Sequence, residues 1–86
     1  MKRYLFVRGT EITKFPDTVF EMDTDSGEMT VYSSSPDVLQ TYSRLVNSGR
    51  YRSLELLQSR LSYVDSEIFE ERTKQVDRVI SSSKQT

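Results

Sequence analysis

The side chains best suited to recognition chemistry are Arg50-Tyr51-Arg52-Ser53, which follow the small polar turn Asn47-Ser48-Gly49. Two guanidiniums flanking a phenol can hold phosphate oxygens, and a serine opening a helix beside them adds a hydroxyl. The preferred reading is a structural elbow between two helices, its arginines solvated and Tyr51 packed against the helices. Two acidic groups accompany this basic one. Asp23, Asp25 and Glu28 fall in "DTDSGE", which has the opening of a calcium loop. Its glycine comes one position early, however, and Ser34 stands where the bidentate glutamate belongs. These carboxylates are expected to form a solvated turn or a contact for a basic partner. Glu67, Glu70 and Glu71 spread over more than one face of a helix and read as a solvated surface, with Glu70 and Lys74 supporting each other at i,i+4.

Enzymatic chemistry has little to work with. The chain contains no histidine and no cysteine, so the usual general bases and nucleophiles are missing, as are thiolate and imidazole metal ligands. No Ser-x-x-Lys, phosphate loop or dinucleotide fingerprint occurs. The expectation is a non-enzyme without metal or cofactor.

A length of 86 residues makes one domain, read here as residues 1–80 with a frayed tail at 81–86. Only 35% of the residues are hydrophobic, so a partner or a second copy would help the chain bury enough apolar surface. The net charge of −1 is far from the basic balance of a strong nucleic-acid binder. The only basic bias lies between Arg50 and Ser62, where Arg50, Arg52 and Arg60 face a single acid, Glu55. The apolar run Tyr4–Val7 is too short for a signal peptide, and no segment approaches the ~20 apolar residues of a membrane span. A cytoplasmic protein with no membrane partner is expected.

The elements that position these groups follow from punctuation and periodicity. All glycines and prolines lie at or before position 49. "KRYLFVRG" reads as a strand closed by Gly9. "TVFEMDTDSGEMTVYS" reads as a hairpin with Thr24-Asp25-Ser26-Gly27 as its loop. That loop length sets Met22 opposite Met29 and Phe20 opposite Val31, all on one face, with Asp23 opposite Glu28. "SSSPDV" starts a helix: Ser35 caps, Pro36 suits the first position and Asp37 the positive end of the dipole. The helix places Val38, Leu39, Tyr42, Leu45 and Val46 on one stripe and stops at Asn47-Ser48-Gly49.

Nothing between Ser53 and Ile80 forces a break. Leu54, Leu57, Leu61, Val64 and Ile68 alternate steps of three and four, a coiled-coil seam. Arg60 and Asp65, and Glu67 and Arg72, then face each other across a parallel partner. Beyond Ile68 the stripe resumes shifted, through Phe69, Val76, Val79 and Ile80. A single long helix is placed ahead of a helix broken near "YVDSE", with Asp65 or Ser66 capping a separate final helix; both are kept. An unbroken helix would reach about 40 Å, more than the rest of the domain can cover, and so argues for a homodimer or a bound partner.

Residues 29 to 57, with "TVYSSSPDVLQTYSRLVNSGRYRSLELL" from Thr30 on, resemble a ribbon–helix–helix module, the fold of small dimeric repressors and antitoxins. The likeness comprises a short strand, a Pro-led helix, a glycine turn with "GRY" and a serine-started helix. It implies a strand pairing between two chains in a DNA major groove, with Thr30 and Tyr32 facing bases. Ser53 with its neighbouring amides, and Arg52 beside Arg50, would hold phosphate, and the acidic C-terminal helix would bind a toxin.

The reading preferred over that alternative is an α+β domain, a three-stranded antiparallel sheet packed by one helix and followed by a long or broken C-terminal helix. Its expected role is that of a non-enzymatic protein–protein interaction module, a regulatory or inhibitory accessory protein of the kind viruses and mobile elements carry. The contact residues would be the seam (Leu54, Leu57, Leu61, Val64, Ile68) and the hairpin tip (Asp23, Asp25, Glu28).

Overall fold

The computed structural model describes residues 1–11 and 14–83. The chain runs β1 (Lys2–Val7), β2 (Thr18–Asp23), β3 (Met29–Ser33), α1 (Pro36–Asn47), α2 (Leu54–Arg60), β4 (Ser66–Phe69) and α3 (Lys74–Ser83). The strands form one antiparallel sheet in the order β3-β2-β1-β4. α1 and α2 cover one face and α3 the other. The α+β class and the antiparallel sheet are as expected; the fourth strand and the second covered face are not.

The β2–β3 hairpin has the expected register, Met22 with Met29 and Phe20 with Val31. Those four side chains lie in one apolar cluster beneath α1 and α2. The loop closes through the Gly27 amide, which donates to the Asp23 carbonyl at 2.7 Å, and the Asp23 amide, which donates to the Glu28 carbonyl at 2.9 Å.

α1 begins where its cap chemistry places it. The Ser35 hydroxyl accepts from the Val38 amide at 3.4 Å, and Pro36 occupies the first turn. At the other end Gly49 takes a left-handed φ of 78°, which turns the chain out of the helix. Replacing Ser35 with alanine leaves first-turn amides without this acceptor. The expected loss is about 1 kcal/mol of stability, read as a lower urea midpoint at unchanged slope.

The stretch preferred as one long helix is instead α2, β4 and α3: it breaks near "YVDSE", as in the alternative reading, but Ser66 opens a strand rather than capping a helix. The Ser53 hydroxyl caps α2 by accepting from the Leu56 amide at 3.2 Å, and α2 ends at Arg60. β4 then pairs antiparallel with β1, Leu5 opposite Ile68 and Tyr4 opposite Phe69. Ile68 and Phe69 are adjacent in sequence, and a strand sends adjacent side chains to opposite faces. Ile68 packs under α2, and Phe69 packs with Val76, Val79 and Ile80 of α3. The shift in the apolar stripe beyond Ile68 marks this change of layer. Thr73 starts α3, its hydroxyl accepting from the Val76 amide at 3.2 Å. Ser81–Ser83, read as part of a frayed tail, extend α3, while residues 84–86 lie outside the described residues. The molecule extends 34 × 24 × 22 Å, so no 40 Å helix projects from it.

Side chains fasten the added strand. The Arg3 guanidinium reaches Glu70 at 2.9 and 3.0 Å and Glu55 at 2.8 Å, tying β1 to α2 and to the residue after β4. Glu70 and then Glu55 hold the Arg3 pKa above its ordinary value. The expected partnership of Glu70 with Lys74 is replaced by this one. Gln58 of α2 donates to the Ser66 carbonyl at 3.3 Å. Among the described residues, no helix is long and apolar enough to cross a membrane.

Candidate functional site

The residues first singled out are dispersed, and several are engaged within the fold. Leu54 and Leu57 are fully buried and Leu61 nearly so, in the cluster that joins α1, α2 and the sheet. Val64 and Ile68 pack against the same cluster. Leu54, Leu57 and Leu61 are therefore the underside of a helix resting on a sheet, while Val64 lies in the turn after it and Ile68 in β4, and the coiled coil drawn from them is corrected to internal core. Three-and-four spacing over two turns serves either arrangement.

The acidic hairpin tip is partly engaged locally. Asp23 accepts from the amides of Asp25 at 2.9 Å and Ser26 at 3.4 Å, and these bonds, the first above all, lower its pKa. Asp25 meets the terminal ammonium of Met1 at 3.0 Å, while Glu28 is exposed. On β3, Thr30 is exposed, but Tyr32 packs into the α3 layer, where burial raises its pKa. The strand is hydrogen-bonded to β2 and roofed on that face, unlike the ribbon that the family resemblance implies. Ser53 serves as the α2 cap. Arg50 and Arg52 are exposed at the elbow.

The fold does bring together a cleft along α1. One half, a cavity of about 590 Å³, is walled by Phe15, Val38, Tyr42, Tyr63 and Val64, with Arg8 and Asp37 at its rim. Phe15 and Tyr42 meet edge to face, their ring centroids 5.9 Å apart. Burial, and next the neighbouring Tyr63 phenol, push the Tyr42 hydroxyl up to about 12, so it stays a neutral phenol at physiological pH. The other half, about 650 Å³, shares Thr41, Tyr42 and Tyr63 with the first and continues past Arg44, Arg50, Tyr51 and Arg60. Tyr63 overhangs the junction and is 70% exposed, whereas most large apolar side chains of the chain are covered.

The two halves differ in charge. Arg8 lies 4.0 Å from Asp65, and Asp37 stands on the same rim, so the apolar half carries no cationic excess. Among the described residues, no ion pair engages Arg44, Arg50 or Arg60. The elbow thus contributes Arg50 and Tyr51, α1 contributes Arg44, and the end of α2 contributes Arg60. Sequence reasoning identified Arg50 and the local basic bias but missed Tyr63 and the apolar half. The available signal was Tyr63 itself, an aromatic at an outward position of the supposed seam. Comparison with protein-family models, curated proteins and solved structures finds no match to this chain.

Proposed function

We propose that this chain is a non-enzymatic protein–protein interaction module, a small regulatory or inhibitory protein that acts by occupying a partner's surface, and that the contact is made through the cleft along α1. The observation that carries this reading is Tyr63, 70% exposed above an apolar cavity walled by Phe15, Val38 and Val64. An aromatic ring held at the mouth of an apolar recess supplies the rigid, amphipathic contact area typical of binding hot spots. Leu54, Leu57 and Leu61 offer no comparable surface, since they are buried, and Tyr32 is half-buried against the α3 layer. With the seam in the core, the argument for a homodimer through it is withdrawn, and the partner is taken to be another protein.

The test is capture of partners from native lysate, with and without nuclease, by the tagged chain and by its Tyr63→Asp variant. Because Tyr63 is exposed, the variant should keep the parent's circular dichroism, losing only the phenol's contact with Tyr42. A stoichiometric protein retained by the parent and reduced at least tenfold by the variant supports the reading. Equal recovery by both would place the contact elsewhere. Recovery of nucleic acid in place of protein would revive the DNA-binding alternative.

A further inference from the structure

The cleft is asymmetric in a way that specifies what it takes. Resting on the interaction reading above, we infer that it binds a protein segment carrying one large apolar anchor and a separate cluster of carboxylates, the anchor seated at the Val38 end of α1 and the acids at the Arg44 end.

The argument starts from α1. Asp37, Val38, Thr41, Tyr42, Arg44, Leu45 and Ser48 line the two halves in sequence order, so the cleft follows the helix axis. From Asp37 to Ser48 the rise is about 16 Å, which an extended peptide of about five residues spans. At the first end lie Phe15, Val38 and Val64, an aromatic and aliphatic recess that rewards burial of a leucine or aromatic side chain. At the other end Arg44, Arg50 and Arg60 converge from three separate elements with no acid among the lining residues.

Guanidiniums suit carboxylates because their fork matches two oxygens, and an arginine without an internal partner does not have to break an ion pair to bind one. Asp37 adds the complementary restriction. Its carboxylate stands at the rim of the apolar half and repels an acid placed there, which keeps the acids at the other end. Near α1's negative end the dipole opposes an anion slightly, and three guanidiniums outweigh it.

A nucleic-acid strand fits less well. It carries a phosphate at every step and needs cations along its whole track, whereas the Val38 half has Arg8 beside Asp65 and no cationic excess. The whole chain is also net negative, at −1, which gives no long-range attraction for a polyanion.

The experiment is selection from a random decapeptide display library by the full chain, with three variants in parallel: Arg44→Gln/Arg50→Gln/Arg60→Gln, Tyr63→Asp and Asp37→Lys. A twelve-nucleotide oligo-dT probe is titrated alongside. The inference expects enriched peptides with a leucine or aromatic residue and at least two acids within about five positions. Their affinity should fall roughly tenfold to a hundredfold in the triple glutamine variant and weaken with added salt. Asp37→Lys should admit peptides with an acid beside the anchor.

Enriched peptides that lack acids yet depend on Tyr63 would overturn the inference while leaving the cleft as the contact surface. Enrichment indifferent to both Tyr63 and the arginines, or none at all, would overturn the inference and the cleft assignment together. Oligo-dT binding lost in the triple variant, without peptide enrichment, would replace the protein segment with nucleic acid.

Discussion

Leu57→Asp is expected to unfold the chain outright, with loss of native circular dichroism and no folded species of altered mass in light scattering. Leu57 is fully buried between α2 and the sheet, among Leu5, Leu54, Leu61 and Tyr42. Removing a buried leucine side chain costs about 2–5 kcal/mol even with alanine as the replacement. An aspartate there also places a carboxylate in an apolar cluster, which adds several kcal/mol or forces protonation. A domain of 86 residues has on the order of 4–13 kcal/mol of total stability, so the combined loss reaches or exceeds what is available. The milder Leu57→Ala should stay folded, with a urea midpoint lowered by about 3 kcal/mol equivalent. Were Leu57 an interface residue, Leu57→Asp would instead yield a well-folded chain of half the mass, and that outcome would restore the seam as a dimer contact.

The second large effect is expected at Gly9, where a single methyl group has no room. A Cβ on Gly9 would lie 2.6 Å from the Pro16 carbonyl carbon and 2.7 Å from the Asp17 nitrogen, with the Phe15 carbonyl oxygen nearer still. All three are backbone atoms, so no rotamer change relieves the clash. The strand exit and the strand entry are pressed together here. The Gly9 amide donates to Asp17 Oδ1 at 2.6 Å, and Thr10 and Phe15 bridge just beyond.

Gly9→Ala must spread this junction, at a cost of about 3 kcal/mol in the range of overpacked interiors. The displacement carries Phe15 with it, and Phe15 walls the cleft beside Tyr42. Gly9→Ala is therefore expected to lower the thermal midpoint by about 10 °C or more and to weaken ligand binding even at temperatures where the variant is folded. Gly27→Ala provides the control. A Cβ there meets nothing within 4 Å, so only its φ of 76° opposes the change, at about 1 kcal/mol. Equal midpoints for the Gly9 and Gly27 variants would show that the junction at Gly9 has slack.

Both predictions concern features that local reading weighed differently. Gly9 was legible as the end of a strand, but its steric role needs Phe15–Asp17 brought against it by pairing of β1 with β2. Leu57 was legible as part of an apolar stripe, yet a stripe does not say whether sheet or second chain will cover it. One neglected signal pointed inward. Tyr4-Leu5-Phe6-Val7 is a continuous apolar run, the mark of a strand buried on both faces. That run already called for a second covering layer beyond the one that α1 could supply. The structure meets the requirement with α3, and all four side chains of the run are buried.

What the sequence determined alone is what short-range chemistry decides. The hairpin register follows from the length of Thr24–Gly27 and the side-chain alternation around it, all within residues 18–33. The start of α1 follows from a serine hydroxyl within reach of the amide three residues on, and from a proline whose missing N–H costs nothing in a first turn. The break between α2 and α3 was decided by tertiary structure. Residues 66–69 become a strand because Tyr4–Val7, at the far end of the chain, presents an open edge with an apolar layer on either side of it. The cleft has the same origin. Its walls come from the β1–β2 connection, α1, the elbow and the turn after α2, segments that carry no mutual signal until the sheet holds them together.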